Sequence, residues 1–128
     1  MTTTSTFDHL LATSKPGLRP IGTALREQIL TLHGTAVEIV WMRQRIASFG
    51  VGPKKMSQHY AYISIHSAHV NLGLYHGAVL ADPDGLLEGS GKRLRHIKID
   101  SVACAQRVSV RKLLRQAILE RRKVDAGT

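Results

Sequence analysis

The sequence predicts an α+β domain, with N- and C-terminal helices packed on one face of an antiparallel sheet of four to five strands. Three observations carry this. Apolar residues recur at helical spacing from Ile21 to Leu32, and again from Val110 to Ile118. Between Ala36 and Leu74 the period changes to two, and turn residues divide the alternating runs. The order is therefore helices, then strands, then a helix. At 128 residues the chain fits one domain spanning 1–128, with frayed ends expected at 1–4 and 124–128.

Each element has a local reason. Ser5-Thr-Phe-Asp8 has capping-box spacing, with Asp8 in the place of the usual Glu, and opens a short helix through Leu10 and Leu11. Lys15-Pro16-Gly17 interrupts it. Pro20 suits the first turn of a second helix, where a missing N–H costs nothing. Ile21, Ala24, Leu25, Ile29 and Leu32 form its apolar face, and His33-Gly34 ends it. In the first strand Val37, Ile39 and Trp41 alternate with Ala36, Glu38 and Val40. A turn then gives a second strand from Arg45 to Phe49, and Gly50 to Lys55 reads as a loop. The third strand, His59 to His66, puts Ala61, Ile63 and Ile65 on one face and Tyr60, Tyr62 and Ser64 on the other. Ser67-Ala68 connects it tightly to Val70, Leu72 and Leu74. Gly77 and the Asp82-Pro-Asp-Gly85 turn precede a last strand containing Arg95, Ile97 and Ile99. The segment from Val102 to Arg107 fits a short helix or an irregular stretch equally. Ser109 is the expected cap of the closing helix, whose stripe is Val110, Leu113, Leu114, Ala117 and Ile118. Arg121, Arg122 and Lys123 fall in its last turn, where cations complement the helix dipole.

Composition narrows the function classes. Apolar residues make up 43%, as in a globular chain. The single cysteine, Cys104, cannot form an internal disulfide, and no apolar leader follows Met1, so a cytoplasmic setting is expected. No apolar run is long enough to span a membrane. Lys plus Arg number 18 against 9 acidic residues, a net charge of +9. That balance attracts a small anionic ligand, an acidic protein partner or, as the alternative, nucleic acid. An uncovered sheet face serves equally as a dimer interface, so monomer and homodimer both stay open.

The segment from Asp82 to Ile99 concentrates glycines and cations. Gly89, Ser90 and Gly91 can turn successive backbone N–H groups into one concavity, while Lys92 and Arg95 supply charge. These five residues are the candidate anion site. They are not a phosphate-binding loop of the Walker type. Only three residues separate Gly85 from Gly89 where that motif has four between its glycines, no Ser or Thr follows Lys92, and a strand comes next. Other constellations carry less. His59, His66, His69, His76 and His96 fall in the strand region without zinc-motif spacing, although His66 and His69 flank a tight hairpin and can approach each other. Asp82, Asp84 and Glu88 suit a turn in which carboxylates accept backbone N–H bonds. Cys104 sits between alanines, as a packed residue would. Trp41, Tyr60 and Tyr62 are candidates for the uncovered sheet face. No catalytic residue and no metal ligand is assigned, and the chain is read as a non-enzyme.

The run Val70-Asn-Leu-Gly-Leu-Tyr-His-Gly-Ala78, with Leu80, Asp82-Pro83, Gly85-Leu-Leu-Glu-Gly89, Gly91-Lys92 and Arg95-His96-Ile-Lys-Ile99, resembles the bacterial YdhG-like domain family. Nearly the whole chain takes part in the resemblance. It implies a helix–sheet–helix sandwich. Some members of that family are described as frataxin-like intracellular iron chaperones, so the resemblance also implies iron as an alternative ligand. Frataxin-type iron binding uses an acidic ridge on the first helix and the following strand. Here that helix carries only Glu27, and that strand only Glu38.

Overall fold

The computed structural model describes residues 6–127. Helix α1 (Phe7–Ala12) and a 3₁₀ turn at Pro16–Leu18 lead into α2 (Arg19–Leu32). Five strands follow: β1 (Val37–Trp41), β2 (Ile46–Gly50), β3 (His59–Ile65), β4 (Val70–Leu74) and β5 (Arg95–Ile99). One helical turn, α3 (Lys55–Gln58), joins β2 to β3, and a 3₁₀ turn at Gly77–Val79 follows β4. The chain closes with α4 (Val102–Ala105) and α5 (Val108–Ala126). The strands pair antiparallel in chain order, so the sheet is a five-stranded meander. The α+β class and the flanking helices are those the sequence predicts.

Register explains which face is buried. Ala47, Ile63, Leu72 and Ile97 stand opposite one another across four strands. Phe49, Ala61 and Leu74 form a second row, and Ile65, Val70 and Ile99 a third. All are buried and share one core with Leu25 and Ile29 of α2 and Val110, Leu114 and Ile118 of α5. Each valine, leucine, isoleucine or phenylalanine among them contributes roughly 1.5–3 kcal/mol by leaving water, and the two alanines less. Cross-links fix the helices over this face. Arg26 of α2 donates two hydrogen bonds to Glu38 of β1, and Gln28 of α2 donates to the Ala105 carbonyl of α4. The opposite face carries Trp41, Ile46, Tyr62, Asn71 and His96, all half-buried, and exposed Lys98.

A bulge resets the third strand. Phe49 pairs with Ala61, but Gly50 pairs with His59, leaving Tyr60 as the extra residue. Tyr60 therefore turns to the helical side, where its hydroxyl lies 2.8 Å from His33 Nδ1. It does not share a face with Tyr62 and Ser64, contrary to simple alternation. The chain is so tight here that a Cβ on Gly50 would lie 2.7 Å from the Gln58 carbonyl oxygen.

Several termini also differ from expectation. Thr6 caps α1, its hydroxyl accepting from the His9 N–H at 3.1 Å; the expected cap, Ser5, lies outside the described residues. Gly34 does not adopt a left-handed conformation; α2 ends at His33, whose φ of −145° and ψ of 77° have already left the helical region. The undecided segment after β5 is a helical turn capped by Ser101. Its exit through extended Arg107 starts α5 at Val108, so Ser109 is not the cap. At the other end α5 continues to Ala126, through positions expected to fray, and Gln58 donates to Asp125 there at 3.1 Å. Between β1 and β2, Arg45 holds φ of +57°, and its guanidinium reaches the Ile65 carbonyl, Thr13 and Ser14.

Candidate anion site

The Gly89–Lys92 segment is an exposed turn whose mouth is closed by paired backbone bonds between Glu88 and His96, at 2.8 and 3.0 Å. Gly89 has φ of +123° and Gly85 of +64°, whereas Gly91 stays out of the left-handed region. Only Gly89 within the loop thus uses the freedom glycine offers. Arg95 is turned inward: its Nη1 donates to the carbonyls of Gly91 and Leu94. It braces the loop from below. Ser90 and Lys92 are exposed, and Lys92 makes no hydrogen bond or ion pair among the described residues.

The same loop delivers Arg93 to a cavity. Ala78 N–H donates to the Arg93 carbonyl at 2.9 Å, which locks the loop to the 3₁₀ turn at Gly77–Val79. Gly77 permits the approach, since a Cβ there would sit 2.6 Å from the Arg95 Cβ. Beside this junction lies an open cavity of about 390 Å³, lined by Met56, Ser57, His76, Val79, Arg93, Glu120 and Arg121.

Three basic side chains converge there. Arg121 is buried and fully engaged. Its Nη1 donates to the Ser57 carbonyl at 3.0 Å, and its Nε and Nη2 grip the Glu120 carboxylate at 2.6 and 2.8 Å. This bidentate bond, more than any other influence, holds the Glu120 carboxyl below its ordinary range. The one carboxylate lining the cavity is therefore already neutralised. His76 is half-buried, and its Nε2 is buried without a partner. Burial pushes the His76 ring below its ordinary value; Arg121 and Arg93 add to that shift, and Glu120 opposes it. Arg93 is exposed and makes no side-chain hydrogen bond among the described residues.

Sequence reading missed α3 and the burial of Arg121; His76 counted only among the strand-region histidines, and Arg93 only as charge near the loop, outside the five candidate residues. For Arg121 a signal existed: 110, 113, 114, 117, 118 and 121 continue one helical stripe, and all six are buried. The convergence of α3 with α5 had no sequence signal, because α3 is one turn long.

The remaining candidates resolve individually. On the open face, Ser48 Oγ lies 2.5 Å from His59 Nδ1 and 2.9 Å from the Tyr75 hydroxyl. Burial is the main reason His59 is held below its ordinary value. The Gly52 backbone opposes that shift, yet Nε2 makes no hydrogen bond of good geometry. The Lys55 ammonium sits 5.1 Å from the Trp41 ring centroid and 6.0 Å from that of Tyr75. His66 and His69 do meet, with stacked rings 4.5 Å apart. Asp82 accepts N–H bonds from Leu86 and Leu87, both at 2.9 Å, as the turn reading requires. Cys104 is half-buried in α4. Among the described residues, no three His, Cys, Asp or Glu side chains gather as a metal ion would need. No helix among them is long and apolar enough to cross a membrane.

Comparison with protein-family models, curated proteins and solved structures finds no match to the chain.

Proposed function

We propose that this is a non-catalytic binding domain of YdhG-like type whose ligand is an anion. The ligand sits where the Gly89–Lys92 loop passes Arg93 into the cavity beside α5. One observation carries the reading: Arg93 borders a cavity whose single lining carboxylate is already held by Arg121. An incoming phosphate or carboxylate would therefore meet cationic charge that nothing in the protein neutralises. Lys92, one residue away and unpaired, adds attraction at the rim, and Arg95 keeps the loop in shape through its carbonyls. Gly89, Ser90 and Gly91 contribute loop conformation and exposed backbone N–H groups at the same rim.

Calorimetric titration of the full chain with inorganic phosphate tests this. Saturable binding is expected, with Arg93→Ala abolishing it and Lys92→Ala weakening it, while both variants melt within a few degrees of the parent. Phosphate binding unaffected by Arg93→Ala would refute the assignment, and so would silence at millimolar concentration from inorganic phosphate and from organic phosphates and carboxylates alike.

A second reading, nucleic-acid binding, is favoured by the outer face of α5. Arg107 precedes the helix, and Arg111, Lys112, Arg115, Arg122 and Lys123 are exposed along it. It predicts affinity for oligonucleotides that falls steeply with salt, because phosphate contacts release counterions.

A further inference from the structure

The cavity beside Arg93 has apolar as well as basic walls. Met56 is 78% exposed and Val79 is 71% exposed, more than any other large apolar side chain among the described residues. Singly exposed apolar residues are ordinary on a protein surface. Here, however, both line the same basic cavity. Their exposure is fixed by the backbone. The turn at Gly77–Val79 is pinned by Ala78 N–H to Arg93 O and by Leu80 N–H to Gly77 O. The residue after Met56 is tied through its carbonyl to Arg121. A bare tetrahedral anion would engage the basic wall and leave these two side chains in water. At about 390 Å³ the open cavity has room for more than a bare anion, as do others on this surface, and what sets it apart is the pairing of Arg93 with two exposed apolar walls.

We infer that the ligand is an amphipathic organic anion, with its anionic head at Arg93 and a flat apolar or aromatic body lying across Met56 and Val79. This rests on the anion reading above and names its ligand class. A methionine thioether suits such a body, because sulfur packs favourably against aromatic ring edges. The head can be a phosphomonoester or a carboxylate; both present oxygens that a guanidinium binds in pairs.

Calorimetric titration of the full chain with inorganic phosphate, phenyl phosphate and benzoate tests the inference. Phenyl phosphate is expected to bind about tenfold more tightly than phosphate, a gain of about 1.4 kcal/mol. The double variant Met56→Ser/Val79→Ser should erase that gain and leave phosphate affinity unchanged, since both side chains are exposed and neither supports the core. Benzoate, matched to phenyl phosphate in its ring, reports which head is preferred; binding by either aromatic anion that drops in the double variant supports the inference. Equal affinity for phosphate and phenyl phosphate, with benzoate silent, would overturn it while leaving the anion site standing. Silence from all three ligands would overturn both.

Discussion

Replacing Arg121 with methionine probes the contact that builds the cavity floor. The guanidinium donates to the Ser57 carbonyl at 3.0 Å and holds Glu120 at 2.6 and 2.8 Å. A hydrogen bond from a charged donor contributes about 1.5–3 kcal/mol, and the one to Ser57 is part-buried. The Glu120 pair adds only about 0–1 kcal/mol, because the Glu120 side chain keeps 23% of its exposure and water screens the attraction. Methionine retains the aliphatic stem, so little packing is lost. The expected loss is therefore about 2–3 kcal/mol, read as a lower urea midpoint at unchanged slope. Arg121→Ala should cost about 1 kcal/mol more, because it also gives up the stem. A second signature comes from pH. The Glu120 carboxyl is depressed in the folded state, so its stabilisation is present above the unfolded value, about 4.3, and is lost as pH falls through the lower folded value. The gap between parent and Arg121→Met should narrow under acid. A loss below about 0.5 kcal/mol, or equal losses for Met and Ala, would refute this account of the α3–α5 junction.

Other predictions concern glycines and histidines. Gly50→Ala should cost about 1–3 kcal/mol, because a Cβ there meets backbone atoms of Gln58 and His59 that cannot move aside. Gly89→Ala should cost about 1 kcal/mol or more through its positive φ, whereas Gly91→Ala, with open space and no left-handed backbone, should leave the melting temperature unchanged. His33, His59 and His76 are all held below the ordinary imidazole value, chiefly by burial. The unfolded chain then binds protons first, so stability is complete above about pH 6.5 and falls as pH drops below it; denaturation midpoints that rise on acidification would contradict this. Conversely, an anion at Arg93 favours charged His76, so affinity for sulfate, whose own charge is constant in this range, should rise as pH falls through the lowered His76 value, and it should stay flat in His76→Gln.

Periodicity made the layers legible. The stripes of α2 and α5 and the alternation of Ala61, Ile63 and Ile65 each report one buried face, and one face is what a two-layer fold needs. What escaped were the features that periodicity averages away. The bulge at Tyr60 puts Tyr60 and His59 on the faces opposite to those simple alternation gives, and only the pairing of Gly50 with His59 reveals it. Arg121 was read as a dipole-complementing cation because charge is normally exposed; its burial depends on a carbonyl 64 residues earlier in the chain. Of the loop residues proposed from sequence, Gly89, Ser90, Gly91 and Lys92 are indeed together and exposed. Arg95, chosen for its charge, instead spends that charge on loop carbonyls, and Arg93 occupies the cavity wall.

Net charge alone does not locate a binding site on this molecule. Only two ion pairs, Arg26–Glu38 and Arg121–Glu120, occur among the described residues, so cations are abundant over the whole surface. Along α5 they project from a convex helix into water, where charges farther apart than about 8–10 Å are screened at ordinary salt. At Arg93 the situation differs in geometry. The neighbouring carboxylate is sequestered by Arg121, so an anion bound there meets no competing free carboxylate in the cavity wall. The two surfaces therefore predict different salt behaviour. Binding along α5 should collapse between low and physiological salt, and binding of a small aromatic anion at Arg93 should weaken only modestly. If the aromatic anion loses affinity as steeply as an oligonucleotide does, the cavity offers no more than the diffuse attraction of a basic surface, and the case for a built site at Arg93 fails.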